Sequence, residues 1–255
     1  MSIIAWFIIG HSSPIAEDRR IGWNIKRDGW AGFIARHVEP AITAGARRVI
    51  LHNPGGALAG EPMQFAQFTH ARRAGLDWIV RDLAAWQPII ARGVEVIAYM
   101  GALRPDWSRD FIGASTSEWL DLFSEAIKRL DEAGIRSIAL DAAAFQPAGS
   151  WSHVAAELLR SLGWKVYIEA RPKRGYSHWR DYPWMILQTT AEGYNNPECA
   201  PLNELTGERI ILRNMGWVDR VDNVTDIKRL QALGWSVAMG FPSRDNYTVE
   251  ELTWH

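Results

Sequence analysis

The chain has 255 residues, 47% of them hydrophobic, and its 28 basic and 29 acidic side chains leave a formal net charge of -1. This apolar fraction supports a full core, which excludes global disorder, and the balanced charge gives no basic field of the kind that binds nucleic acid. The 14 tryptophans are unusual, because an indole ring needs a large core or a flat partner to pack against.

The first predicted element is a strand at Ile3–His11, within the apolar start MSIIAWFIIG. That start has no basic region and no small-residue cleavage site, and it is far shorter than the roughly 20 apolar residues that span a bilayer. We therefore expect no membrane partner and a cytoplasmic location, or another that is reached without a cleavable signal peptide. The single cysteine, Cys199, cannot form an internal disulfide, which is typical of a reducing compartment or of a secreted protein that needs no bridges.

One pattern recurs five times along the chain: an amphipathic helix, a glycine and a short β-rich run. The helices are predicted at residues 28–44, 74–92, 116–133, 151–162 and 224–233, followed by Gly45, Gly93, Gly134, Gly163 and Gly234. A glycine just past a helix adopts the left-handed conformation without strain at Cβ. Each of these glycines is therefore predicted to cap the helix before it.

The β-rich runs give eight predicted strands. They are Ile3–His11, Arg48–His52, Val94–Tyr99, Ile135–Asp141, Trp164–Glu169, Trp184–Gln188, Arg209–Arg213 and Trp235–Met239. Strands that alternate with helices pair in parallel through right-handed crossovers, and eight such units in about 250 residues match a (β/α)8 TIM barrel.

We predict a single α/β barrel domain over residues 1–255, with an irregular sixth unit at Thr189–Gly207. A doubly wound open sheet is the alternative fold. It is less favoured because no G-x-G-x-x-G motif follows the first strand and no G-x-x-x-x-G-K-[ST] motif occurs in the chain.

Alternation within each strand predicts which side chains enter the barrel. In the fourth strand Ile138 and Leu140 face outward and Asp141 faces inward, whereas in the seventh Ile210 and Leu212 are predicted to face outward. The last inward residue of each strand lies at the C-terminal mouth, where enzymes of this fold have their active sites. The predicted ring at this mouth is His11, His52, Tyr99, Asp141, Glu169, Gln188, Arg213 and Gly240, with Asn53 and Asn214 beside it.

Asp141 and Glu169 are the candidate catalytic pair, because they end neighbouring strands about 5 Å apart. Their carboxyl groups are expected within roughly 5–9 Å, the range used by glycosidases with paired acids. One carboxyl would protonate the leaving oxygen while the other attacks or activates water. We assign Glu169 as the acid and Asp141 as the nucleophile or base, and the reverse order stays open.

This acid pair, with Asp141-Ala-Ala after a β run, resembles the TIM-barrel glycoside hydrolases in the arrangement of the α-amylase superfamily. The resemblance implies a barrel that hydrolyses a glycosidic bond through Asp141 and Glu169, with a carbohydrate as substrate. We expect no metal ion and no other cofactor.

Four tryptophans are predicted in loops at the mouth, where their rings can pack on the C–H faces of a sugar: Trp107, Trp151, Trp179 and Trp217. The predicted sugar contacts add His11, His52, Asn53, Tyr99, Gln188, Arg213 and Asn214. Five other tryptophans fall in predicted strands or helices and are expected in the core: Trp6, Trp30, Trp78, Trp86 and Trp119.

Other interpretations of the mouth remain open. Arg213 could neutralise Glu169 or Asp141 in a buried ion pair, and His11 and His52 could each be core histidines. A metal-dependent isomerase or hydrolase would use both histidines and both acids as ligands, although no H-x-H follows the first strand. A barrel that binds glycans without catalysis, as a module of a larger assembly, is the non-enzymatic alternative.

Overall fold

The computed structural model describes residues 3–9, 16–52, 80–100, 115–140, 149–170, 184–186, 208–212, 231–232 and 234–240. The strands form a closed barrel in which β1 pairs with both β2 and β8, and every pair is parallel. The strands are β1 Ile3–Ile8, β2 Ala46–His52, β3 Glu95–Met100, β4 Ser137–Leu140, β5 Lys165–Ala170, β6 Trp184–Ile186, β7 Arg209–Leu212 and β8 Trp235–Gly240. This architecture confirms the predicted α/β barrel and excludes the open sheet, while Thr189–Gly207 lies outside the described residues.

The helices of the described residues lie between the strands in sequence. They are α1 Ala16–Phe33, a π-helical turn Ile34–Val38, α2 Glu39–Thr43, a 3-10 turn Leu83–Trp86, α3 Gln87–Ala91, α4 Thr116–Glu132 and α5 Trp151–Ser161. Two of them start at a serine cap: Ser115 Oγ accepts the Glu118 N–H at 3.2 Å, and Ser150 Oγ accepts the His153 N–H at 3.4 Å. Helices α4 and α5 therefore begin at the predicted residues.

The first two helical segments differ from the prediction. Helix α1 begins at Ala16 rather than at residue 28, and Gly29, at φ 68° and ψ -178°, interrupts it. In the second segment Asp82 takes a left-handed φ of 57°, and only a 3-10 turn and the five-residue helix α3 follow it. Both breaks were missed because the apolar periodicity runs through them, and a single residue that leaves the helical conformation does not alter that periodicity.

All five predicted capping glycines have positive φ: Gly45 (106°), Gly93 (80°), Gly134 (81°), Gly163 (82°) and Gly234 (81°). After α4 the amide of Gly134 donates to the Asp131 carbonyl at 2.9 Å, and the amide of Ile135 reaches back to the Leu130 carbonyl at 2.9 Å. These paired bonds end the helix and turn the chain into the next strand. The predicted conformation of these glycines is thereby confirmed, while most of the helix predicted before Gly234 lies outside the described residues.

The core has two layers, one on each side of the strands. The outer layer packs helices on the barrel and includes a group of aromatic rings in which Phe33 contacts Phe7, Trp30 and Trp86. The inner layer fills the barrel and consists of Ile4, Trp6, Ile50, Ile97, Tyr99, Ala139, Tyr167, Ile210 and Ala238. Trp6, Trp30 and Trp86 are fully buried, as predicted, whereas Trp78 lies outside the described residues and the Trp119 side chain is not described.

The predicted facing is confirmed for the central strands and wrong for β7. Ile138 and Leu140 lie in the outer layer and Ala139 in the inner one, as expected. Ile210, however, lies in the inner layer, although we predicted that it faces outward. The reason is that β7 reads Arg-Ile-Ile-Leu, with apolar residues on both faces, so its composition does not distinguish one alternation from the other.

Candidate functional site

The structure places two of the predicted mouth residues inside the barrel. His52 is the last residue of β2 and Tyr99 is the penultimate residue of β3, and each is only 1% exposed. Their rings lie against each other, with centroids 4.0 Å apart and planes tilted by 48°. The pairing of β2 with β3 brings them together across 47 residues of sequence, counted from 52 to 99.

Trp6 joins this pair and was missed as a site residue, because we expected it only in the core. Its Nε1–H donates to His52 Nδ1 at 3.2 Å, and the two rings are stacked at 5.9 Å. The sequence signal for this contact is that Trp6 occupies an interior position of β1 and that the neighbouring strand β2 ends in His52. We call Trp6, His52 and Tyr99 the mouth cluster.

The strands that carry the candidate acids are neighbours in parallel register. Leu140 of β4 pairs with Ile168 of β5, so the next positions along the two strands are Asp141 and Glu169. The backbone of Glu169 lies within β5, whereas its side chain and the whole of Asp141 lie outside what the structure describes. The adjacency of the two strands is confirmed, and the distance between the carboxyl groups stays a prediction.

Most other predicted contacts lie outside the described residues: His11, Asn53, Trp107, Trp179, Gln188, Arg213, Asn214 and Trp217. Gly240 ends β8 as predicted and pairs in register with Trp6.

The described parts of three strands show an alternation that differs from the predicted one. Ile9, directly after β1, belongs to the outer layer, and Met185 of β6 pairs in register with the interior residue Ile210 of β7. His11, Gln188 and Arg213 lie beyond these described positions, so their inward facing stays a prediction. The composition of β1, β6 and β7 did not indicate their facing, because these strands are apolar on both faces.

Trp151 is the clearest displacement of a predicted contact. We predicted it both at the start of the helix 151–162 and among the loop residues of the mouth. It is the first residue of α5, and its ring packs edge-on against Phe123 of α4 at 6.3 Å. It also packs against the outer core layer. The serine cap at Ser150 starts the helix immediately before Trp151, which places this ring in helix–helix packing.

At the opposite, N-terminal end of the strands, the interior holds a charged network that the sequence analysis did not predict. Its members are Arg48, Glu95, Ser137, Lys165, Tyr167, Glu208 and Ser236, which we call the floor network. Glu95 accepts hydrogen bonds from Ser137 Oγ at 2.7 Å, Tyr167 OH at 3.0 Å and Lys165 Nζ at 3.2 Å.

Glu208 forms the second half of the floor network. It pairs with Arg48, lies 3.6 Å from Lys165 Nζ and accepts a hydrogen bond from Ser236 Oγ at 3.3 Å. Two acids and two bases therefore neutralise each other. The sequence signal for this network was the charge at the first inward positions of β2 and β3, Arg48 and Glu95.

Burial and neighbouring charges perturb the floor network. Burial, followed by the negative charge of Glu95, raises the pKa of Tyr167 far above its ordinary value, so this phenol stays protonated. Burial works against the charge of Arg48, but Glu208 outweighs it and the pKa of Arg48 is raised. Arg48 therefore stays charged, beside a Tyr167 phenol that stays protonated.

Two features are absent from the part of the chain that the structure describes. No three histidine, cysteine or carboxylate side chains come together there in a way that could hold a metal ion. Within the same ranges, no helix has the length and apolar character needed to cross a membrane.

Comparison with known proteins identifies no family. No protein-family model matches the chain, and a search of curated proteins finds no match. Among solved structures, a D-psicose 3-epimerase in the presence of D-fructose aligns over 98% of this chain and 88% of its own, with a TM-score of 0.47 and 12% sequence identity. Because this similarity is low, we infer neither the fold nor the activity of this chain from the epimerase, and the predicted likeness to the α-amylase superfamily stays a prediction.

Proposed function

We propose that the chain is an enzyme that acts on carbohydrates and hydrolyses a glycosidic bond with Asp141 and Glu169 at the C-terminal mouth of the barrel. The observation that carries the proposal is the parallel register of β4 and β5, in which Leu140 pairs with Ile168. Neighbouring strands lie about 4.8 Å apart, so two acids at the next register position are close enough to act on one bond.

The chemistry needs two carboxyl groups in different protonation states. Glu169 donates its proton to the leaving glycosidic oxygen as the bond from that oxygen to the anomeric carbon breaks. Asp141 either attacks the anomeric carbon or takes a proton from the water that attacks it. In both routes one water is consumed, and both acids return to their starting states.

The mouth cluster supports a polar substrate at this end. His52 and Tyr99 bring an imidazole and a phenol together on the strands that precede the two acids in barrel order. Trp107, Trp179 and Trp217 remain our proposed platforms for sugar rings.

The test is hydrolysis of a panel of 4-nitrophenyl glycosides and natural glycans by the wild type and by Asp141→Asn and Glu169→Gln. Each variant is expected to lose at least about a hundredfold in kcat/KM on natural glycans. Glu169→Gln is expected to lose less on the nitrophenyl glycosides, because that leaving group departs without protonation. Glu132→Gln, at an exposed residue of α4, is the matched control and is expected to keep full activity.

Three outcomes contradict the proposal. Both acid variants could turn over substrate at the wild-type rate, which rejects the assigned residues. The wild type could bind glycans without cleaving them, which supports the binding-module alternative. It could also convert a sugar to a product that incorporates no oxygen from labelled water, which rejects hydrolysis.

A further inference from the structure

One side of helix α5 is apolar and open to solvent. Among the residues that the structure describes, the large hydrophobic side chains that are exposed are Val154, Leu158 and Leu162, with exposed fractions of 51%, 56% and 57%. The first two lie within α5, and Leu162 is its C-terminal cap residue. A spacing of four residues places all three in one row along the helix, which we call the α5 stripe. Single apolar residues are ordinary on a protein surface, whereas a continuous row is typical of a contact surface.

Trp151 shows how an apolar residue on this side of α5 is covered within the chain. At 3.6 residues per turn, Trp151 falls between Leu158 and Leu162 in projection down the helix axis. It is half-buried, and its ring packs edge-on against Phe123 of α4 at 6.3 Å. The stripe continues along the same side of the helix with more than half of each side chain exposed. This side of α5 therefore has room for a partner from outside the chain.

We propose that the α5 stripe is the contact surface of a homodimer, in which α5 packs antiparallel on α5 of a second copy across a two-fold axis at Leu158. A two-fold interface brings the same patch of both copies together, so the patch must complement itself. The stripe meets this requirement, because Leu158 has one apolar residue of the row four positions before it and another four positions after it.

Two such rows fit together in the commonest arrangement of packed helices. Side chains four residues apart form a ridge, and the ridges of two helices interdigitate when the helix axes cross at about 50°. With the two-fold axis at Leu158, the two copies of this residue meet at the centre. Val154 of each copy then lies beside Leu162 of the other, so each row is covered along its whole length.

The charges on the same helix favour the antiparallel direction. Glu157 and Arg160 lie three residues apart, with Arg160 Nη1 3.6 Å from Glu157 Oε1 and with both side chains substantially exposed. Their midpoint lies within about 1 Å of Leu158 along the helix axis. An antiparallel pair therefore brings Glu157 of each copy level with Arg160 of the other, whereas a parallel pair would bring like charges level.

The size of the stripe determines how tightly two copies associate. Three half-exposed side chains present roughly 300 Å² of apolar surface. Each partner of a stable complex buries roughly 800 Å². We therefore expect a reversible dimer with a dissociation constant of about 10 to 100 μM.

Sedimentation velocity of the full chain between about 1 and 500 μM tests the proposal. The wild type is expected to change from monomer to dimer over this range. Leu158→Glu places two carboxylates together at the axis and is expected to weaken the dimer at least about tenfold. This variant is expected to fold, because Ala155, Ala156 and Leu159 hold α5 on the barrel. Lys26→Gln, at an exposed residue of α1, makes the same change in net charge and is expected to dimerise like the wild type.

A second pair of variants tests the antiparallel register and leaves the apolar row intact. Glu157→Arg and Arg160→Glu each place like charges level with one another across the axis, so each alone is expected to dimerise about fivefold more weakly than the wild type. An equimolar mixture of the two restores opposite charges at both positions. The mixture is expected to associate at least as tightly as the wild type.

Three results overturn the proposal. The wild type could stay monomeric throughout, whether the stripe is left open or is covered by a different protein. A dimer could persist unchanged in Leu158→Glu, which places the interface on another surface. The mixture of charge variants could associate no better than either variant alone, which rejects the antiparallel register. None of these measurements uses glycan cleavage, so the dimer and the proposed function stand or fail separately.

Discussion

Tyr167→Phe removes one hydroxyl group from the floor network and leaves the ring in place. In the wild type Tyr167 OH donates to Glu95 Oε1 at 3.0 Å, and the side chain is fully buried. After the substitution Glu95 still accepts from Ser137 and Lys165, so no buried carboxylate is left without a partner. The expected loss is therefore at the lower end of the range for a hydrogen bond to a charged group, about 1.5 kcal/mol at pH 7.

The pH dependence of this loss follows from the raised pKa of Tyr167. The unfolded chain releases the phenolic proton above pH ~10, whereas the folded protein retains it because burial and Glu95 disfavour the phenolate. The contribution of Tyr167 is complete below pH ~10 and is lost as the pH rises from there toward the folded pKa. The free energy of unfolding of the wild type then falls by about 1.4 kcal/mol per pH unit from this group alone, and Tyr167→Phe lacks that slope.

The assay is urea unfolding of the wild type and Tyr167→Phe at several pH values from 7 to 11. The difference between the two proteins is expected to shrink from about 1.5 kcal/mol at pH 7 to nearly zero at about pH 11. Ser137→Ala is the control, because it removes another hydrogen bond to Glu95 without removing a titrating group, and its difference should not change with pH. A Tyr167→Phe difference that is equally large at pH 7 and pH 11 refutes the reasoning.

Two other stability predictions concern the helices. Gly29→Ala is expected to lower the free energy of unfolding by about 2 kcal/mol and Gly163→Ala by about 1 kcal/mol, measured by urea unfolding. An added Cβ meets no atom within 4 Å at either site, so the cost comes from the backbone conformation alone. It is larger at Gly29 because the φ and ψ angles there lie in a region that only glycine readily adopts. The reverse order of the two costs contradicts this explanation. Ser115→Ala is expected to lower the free energy of unfolding by about 1 kcal/mol, because it removes the side-chain cap that accepts the Glu118 N–H. An unchanged urea midpoint contradicts this prediction and shows that the cap contributes nothing.

The parts of the fold that could be predicted from the sequence are those with a local cause. A glycine such as Gly134 ends a helix because of its own conformational freedom, and it does so whatever lies around it. The facing of β4 was equally predictable, since small and bulky residues alternate there from Ser137 to Leu140. These signals were sufficient for the order of strands and helices, and hence for the barrel.

The parts that could not be predicted depend on contacts between strands. Glu95 and Lys165 meet across 70 residues of sequence, and only the register of three strands brings them together. The hydrogen bond from Trp6 to His52 likewise needs the pairing of β1 with β2 and the correct facing of both. An apolar strand such as β7 gives no composition signal for its facing, which is why the inward position of Ile210 was missed.

The small side chain of Ala139 has a consequence for how this barrel can vary among related sequences. Ala139 lies in register between Tyr99 of β3 and Tyr167 of β5, and the Tyr167 hydroxyl crosses β4 to reach Glu95. A leucine at position 139 would occupy the space that both tyrosine rings use, and would disturb the mouth cluster and the floor network together. Residues 99, 139 and 167 are therefore expected to change in concert: a larger residue on the middle strand requires smaller ones on its two neighbours.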